Sequence, residues 1–175
     1  LAGAAQNIGY GLQKRTKTET ANKLDELSEF SKEAIADLRD TIWVMNKTQV
    51  SWDDMAERFR YLTHKVSNTT GIHVSFQKTG DDNRLLDAEH ALNLFRIVQE
   101  AVNNAVKHSE ATKIDIKLQA FSPLTLQVID NGKGYVVSEV TSSNGLKNMA
   151  SRSKEIGATL NTTSDENGTR VAIQL

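Results

Sequence analysis

Gln99-Glu100-Ala101-Val102-Asn103-Asn104-Ala105-Val106-Lys107-His108-Ser109 puts a carboxylate, a carboxamide and an amine on one helical face. At about 100° per residue, Val98, Ala101, Val102, Ala105 and Val106 fall in one apolar arc, continued upstream by Leu94, Phe95 and Ile97. Glu100, Asn104 and Lys107 share the polar flank. At these spacings Cβ atoms stand roughly 5–6 Å apart, so a carboxylate and an amide oxygen can meet one hard cation, directly or through water. The same pattern also describes an ordinary solvated amphipathic helix, and the pieces around it have to decide between the two.

Downstream, Ile114, Ile116 and Leu118 alternate with polar residues, and after Ser122-Pro123 so do Leu124, Leu126 and Val128, which predicts a hairpin. Asp130-Asn131-Gly132-Lys133-Gly134-Tyr135 follows its second strand. A polar loop to Ser143 leads to Asn144-Gly145-Leu146-Lys147-Asn148-Met149, the start of an amphipathic helix ending at Gly157. Two last strands, Ala158 to Thr163 and Thr169 to Leu175, are joined through Glu166-Asn167-Gly168.

Upstream, Ser51-Trp52-Asp53-Asp54 reads as a capping box with Asp in place of Glu, opening a helix to about Ser67. Thr69-Thr70-Gly71 turns the chain into an alternating strand with Ile72, Val74 and Phe76. The fold class is therefore α+β, with helices over one face of a mixed, mostly antiparallel sheet. Before residue 46, Leu24, Leu27, Ala34, Ile35, Leu38, Ile42 and Met45 recur at helical intervals, a stripe that suits a bundle. Leu1, Ala5, Ile8 and Leu12 keep the same period, and Lys14 to Thr20 reads as a turn between two helices. Two antiparallel helices leave such a stripe wet, so a homodimer through residues 1–46 is expected, forming a four-helix bundle. The domains are residues 1–48, the helical hairpin, and residues 49–175, with Trp43 and Trp52 packing where they meet.

Composition narrows the chemistry. The absence of cysteine excludes disulfides and thiolate metal sites. A net charge of -1 supplies no broad attraction to nucleic acid or anionic membrane, so neither is expected as a partner. No apolar run approaches the roughly 20 residues that span a bilayer, and the chain reads as soluble and cytoplasmic.

Three separated pieces can converge on a nucleotide. The Glu100, Asn104, Lys107 face is one. Asp130 with Gly132 and Gly134 is the second: a carboxylate at a strand end accepts from an exocyclic amine, and glycines let a ring or phosphate approach the backbone. Asn144-Gly145-Leu146 is the third, a helix start whose N–H groups favour phosphate. His108 reads as a cap at a helix end rather than a ligand. His64, His73 and His90 show no ligand spacing.

In this order, the helix Gln99 to Ser109, Asp130 to Tyr135, Asn144 to Met149 and Gly168-Thr169 resemble the Bergerat-fold ATPase module of sensor histidine kinases. Lys107-His108-Ser109, the short loop after Tyr135, and Gly145 to Met149 with Arg152 look most like the nitrate-sensor and DesK type, whose partners are LuxR-type response regulators. Leu38-Arg39-Asp40-Thr41-Ile42-Trp43 resembles the second helix of their dimerisation and phosphotransfer bundle. The resemblance implies ATP and Mg²⁺ as ligands and a response-regulator receiver domain as partner. It implies that Asn104 ligates the metal, with Glu100 beside it or its water and in a tentative catalytic role. Asp130 would accept from the adenine amino group and Gly132 and Gly134 shape the pocket. Lys107 would meet phosphate, Gly145 and Leu146 lie at the lid and phosphates, and Thr169 supports the adenine end. Membrane attachment would come only through other parts of the parent protein.

Two departures shape the expectations. Residues 1–63 contain no histidine, so the phosphoacceptor is expected just upstream of Leu1, and ATP binding is expected without self-phosphorylation. Asn144 stands where glycine is commoner. Two alternative functions are a non-catalytic dimeric regulator that senses ATP and a Bergerat-fold ATP hydrolase in which Glu100 activates water.

Overall fold

The computed structural model describes residues 47–80, 83–135 and 144–175, together with Leu24, Ser28, Ser31, Ile35, Leu38, Ile42 and Trp43. The chain divides into two units, Leu1–Trp43 and Val44–Leu175. In the first, each of the described positions is helical, and Leu24, Ile35, Leu38 and Ile42 are 50–63% exposed. The expected helix and turn within residues 1–20, Leu27, Ala34 and Met45 of the stripe, and the loop 136–143 lie outside the described residues.

The second unit is α+β. In chain order it comprises α1 (Trp52–Thr70), β1 (His73–Thr79), α2 (Ala88–His108), β2 (Lys113–Gln119), β3 (Thr125–Asp130), α3 (Asn144–Glu155), β4 (Thr159–Asp165) and β5 (Gly168–Gln174). The sheet order is β1-β2-β3-β5-β4. β1 and β2 are parallel, and the three other neighbouring pairs are antiparallel.

The ends of α1 show why the chain folds locally as it does. Ser51 accepts from the Asp54 backbone N–H at 3.1 Å, and the Asp54 carboxylate accepts from the Ser51 N–H at 3.0 Å, completing the capping box. The helix outruns its expected end near Ser67 by three residues and stops at Gly71, whose φ of 74° is left-handed. Thr69 and Thr70 stay helical by donating their hydroxyls back to the carbonyls of Lys65 and Val66.

Strand alternation puts Ile114, Ile116, Leu118, Leu126, Val128, Val171 and Ile173 on the buried side of the sheet. Register aligns them in rows, with Ile116 opposite Val128 and Val128 opposite Val171. Phe59 of α1, fully buried, bridges the layers: its ring lies 5.7 Å from that of Phe76 and 6.1 Å from that of Phe95. Burying one such ring contributes roughly 1.5–3 kcal/mol. By the same period, Asp130 at the end of β3 falls on the helix-facing side, where it is 7% exposed. Trp52 is likewise buried in this unit.

Candidate nucleotide site

The helix α2 is the spine of the site, and each of its thirds holds a different partner. Asp87 caps its start by accepting from the His90 N–H at 2.8 Å; this bond keeps the Asp87 carboxyl below the ordinary carboxylate range. Midway, Glu100 and Asn104 are half-buried, whereas Lys107 and His108 in the last turn are exposed. His108 thus sits at the helix's negative end, as a cap would.

At its far end, α2 is tied to the Asp130–Gly134 loop. Ser109 closes the helix, donating its hydroxyl to Ala105 O at 2.6 Å, and its own carbonyl accepts from the Lys133 N–H at 2.8 Å. A Cβ on Gly132 would stand 2.3 Å from that carbonyl, so glycine is what lets the loop reach the helix. The Asn131 side chain accepts from the Thr112 and Lys113 N–H groups at 3.0 and 2.9 Å. Lys133 pairs with Glu110 at 2.6 Å and holds that carboxyl below its ordinary range.

Asp130 is held within this frame. Its Oδ1 accepts from the Gly132 N–H at 2.8 Å, which leaves the carboxylate with further acceptor capacity. The tip of the β4–β5 hairpin closes on the same strand end. A Cβ on Gly168 would meet Asp130 O at 2.0 Å, and one on Gly134, at a φ of 60°, would meet Asp165 O at 1.8 Å. Ser164 gathers the segment: it accepts from the Tyr135 N–H at 2.9 Å and shares a hydrogen bond of 2.9 Å with the Thr169 hydroxyl. Burial, and then the nearby Asp130 charge, push the Tyr135 phenol above its ordinary pKa and keep it protonated. Asp130, Tyr135 and Thr169 therefore form one end of the site.

The start of α3 forms the other. An ideal Cβ on Gly145 would lie 2.1 Å from Glu100 Oε1 and 3.6 Å from Asn104 Nδ2. The third sequence piece thus abuts the first, with a carboxylate, an amide and the positive end of a helix at one place. Mg²⁺ keeps several waters and takes one or two protein oxygens plus phosphate, a demand that Glu100 and Asn104 fit without further ligands. Among the described residues no group of three or more His, Cys, Asp or Glu is arranged to hold a metal by itself.

Sequence reading missed Asn93 and Ser164, and gave Ser109 no role of its own. Asn93 alone carried a signal, standing seven residues before Glu100 and eleven before Asn104 and hence on the same polar flank of α2. It is 5% exposed and accepts from Arg152 Nη1 of α3 at 3.1 Å.

Comparison with known proteins completes the description. Residues 89–175 match the family described as histidine kinase-, DNA gyrase B-, and HSP90-like ATPase. These residues are thus similar to an ATPase domain of that family. A domain of that family implies ATP binding. Sensor protein VraS of Staphylococcus aureus is 45% identical over 85 residues, which cover 47% of this chain and 24% of that protein. The VraS of Staphylococcus saprophyticus is 46% identical over the same length. The chain thus matches about a quarter of the length of these relatives.

Solved structures agree on the fold. The histidine kinase domain of the blue-light activated histidine kinase from Erythrobacter litoralis EL346 superposes with a TM-score of 0.67 at 20% identity, over 81% of this chain and 71% of that one. The ATP binding domain of PrrB from Mycobacterium tuberculosis superposes with a TM-score of 0.59 at 22% identity, over 74% of this chain and 97% of that one. The fold is the Bergerat ATPase fold that the sequence resemblance implied. No helix among the described residues is long and apolar enough to cross a membrane.

Proposed function

We propose that this chain is the catalytic core of a two-component sensor histidine kinase of the nitrate-sensor and DesK type. Residues 49–175 hold Mg–ATP, and the γ-phosphoryl passes to a histidine outside this chain and then to an aspartate of a LuxR-type response regulator. The observation that supports this reading most is the approach of Gly145 to Glu100 and Asn104, which brings a helix start and a carboxylate–carboxamide pair together. At the other end, Asp130 accepts from the adenine amino group, Gly132 and Gly134 let the loop close around it, and Thr169 supports the same end through Ser164.

Asn104 and Glu100 would hold Mg²⁺, Glu100 directly or through water. When bound, the metal neutralises phosphate charge. Lys107 meets phosphate from the last turn of α2, and Leu146 lies beside Gly145 at the phosphates. Catalysis by these residues is positioning and charge neutralisation. Residues 1–48 serve as the dimerisation hairpin. The exposure of Leu24, Ile35, Leu38 and Ile42 supports a second copy as their cover.

Two measurements test the reading. Calorimetric titration of the chain with ATP and magnesium is expected to show saturable binding that Asp130→Asn weakens by roughly 5–150-fold, equivalent to about 1–3 kcal/mol; absence of binding refutes the proposal. Radiolabelled ATP is expected to leave this chain unlabelled. An extended chain that begins upstream of Leu1 is expected to acquire acid-labile phosphohistidine. Steady ATP turnover without phosphoprotein, abolished by Glu100→Ala, would instead make it a hydrolase.

A further inference from the structure

α3 touches α2 at two levels in opposite chain directions. Gly145, at its start, meets Glu100 and Asn104. Arg152, two turns later, meets Asn93, which lies two turns before Glu100. The two helices therefore run antiparallel. The second contact is a small network: the Asn93 carboxamide accepts from Arg152 at 3.1 Å and donates to Glu155 Oε2 at 3.4 Å, while Ser151 donates to Glu155 Oε1 at 3.1 Å.

Asn93 lies on the flank of α2 that also carries Glu100 and Asn104, yet it is 5% exposed, and an unpaired carboxamide buried there would be costly. Its amide oxygen and nitrogen are both engaged only when Arg152 and Glu155 stand opposite it. A slide of α3 by one turn, about 5.4 Å, would orphan the amide and also carry Gly145 off Glu100. A buried polar residue of this kind fixes register between helices at some expense of stability.

We infer that Asn93, Arg152 and Glu155 form a positioning latch that sets the height of α3 along α2, and with it the fit of the Glu100–Asn104–Gly145 corner to the phosphates and metal of ATP. The inference rests on the nucleotide reading above and adds residues that touch neither nucleotide nor metal. It separates stability from affinity. An apolar replacement of the latch packs as well or better but leaves α3 free to choose its register.

The experiment compares the parent chain with Asn93→Leu/Arg152→Met and with Asn93→Asp/Glu155→Gln. The latter keeps an acceptor for Arg152 and reverses donor and acceptor between positions 93 and 155. Melting temperature, Mg–ATP affinity and adenosine affinity are measured for each. The apolar pair is expected to melt at or above the parent temperature, to bind Mg–ATP about 10-fold more weakly, within the usual range of coupling between sites, and to bind adenosine like the parent. The reversed pair is expected within about twofold of the parent for both ligands.

Parent-like Mg–ATP affinity in the folded apolar pair overturns the latch, as does an equal loss of Mg–ATP and adenosine affinity. If the apolar pair does not fold, Arg152→Met alone, read well below its melting temperature, gives the same comparison. A parent chain that binds no Mg–ATP overturns the nucleotide reading itself, which keeps the two failures distinct.

Discussion

At the β3 end of the site, backbone meets backbone. Gly134 and Gly168 press against the carbonyls of Asp165 and Asp130, and the loop between β3 and Tyr135 is tied to Ser109, Thr112, Lys113 and Ser164 by hydrogen bonds. At the α2–α3 end, helix backbone meets a side chain: Gly145 lies against the tips of Glu100 and Asn104. A carbonyl cannot move without its strand, whereas a glutamate tip moves by rotating a torsion. The β3 end is thus fixed by backbone contacts, and the α2–α3 end can adjust by side-chain rotation.

The sharpest way to break this contrast is to add one methyl group at each end. Gly134→Ala is expected to destabilise the domain by about 3 kcal/mol or more, from a left-handed backbone combined with a carbonyl clash, measured by denaturant unfolding. Gly145→Ala is expected to change stability by less than about 1 kcal/mol while altering Mg–ATP affinity, since Glu100 must swing aside. Equal destabilisation by the two would erase the distinction.

A smaller effect sharpens the α2–α3 end. Asn104→Asp adds a charge beside Glu100 and is expected to change the magnesium concentration at which ATP binding is half-maximal, with adenosine binding unchanged; an unaltered magnesium dependence removes Asn104 from the metal.

The smallest effect lies outside both ends. Ser51→Ala removes the cap of α1 and is expected to cost about 1 kcal/mol without altering nucleotide affinity. Asp54 provides the accompanying pH dependence: the Lys47 ammonium, and then the Ser51 N–H, hold its carboxyl below the ordinary range in the folded state. Between its folded and unfolded values the unfolded chain binds more protons. Its contribution is therefore complete above the ordinary carboxylate pKa of about 4 and is lost as pH falls through the lowered folded value. Comparing Asp54→Asn with the parent by melting from pH 5 to pH 2 is expected to show a difference that shrinks as the solution is acidified.

Much of the fold was legible because it is written locally. The Ser51 box, the 3.6-residue period of α2 and the alternation in β2, β3 and β5 each involve residues a few positions apart. The approach of Gly145 to Glu100 was legible only as a resemblance in order and spacing. What could not be read from period or turn chemistry was long-range pairing. The parallel register of β1 with β2 joins residues 40 apart, as Val74 opposite Ile114, and the Asn93–Arg152 bond spans 59 positions. The glycines were read as room for a ligand. Gly132 and Gly134 are first needed as room for the chain's own Ser109 and Asp165.

The parallel β1–β2 contact also bears on how the domain assembles. The hairpins β2–β3 and β4–β5 close short loops and can form early, but β1 can add to the sheet only after the whole of α2 has crossed back over it, and such non-local closure is slow. The Asp130 end joins these two hairpins through the β3–β5 pairing, whose partners stand 41–49 positions apart, so it too depends on a non-local closure. The edge strand waits on the same helix that carries Glu100 and Asn104, and the β3–β5 pairing waits on the segment holding α3, so each end of the candidate site forms only once a helix has been placed.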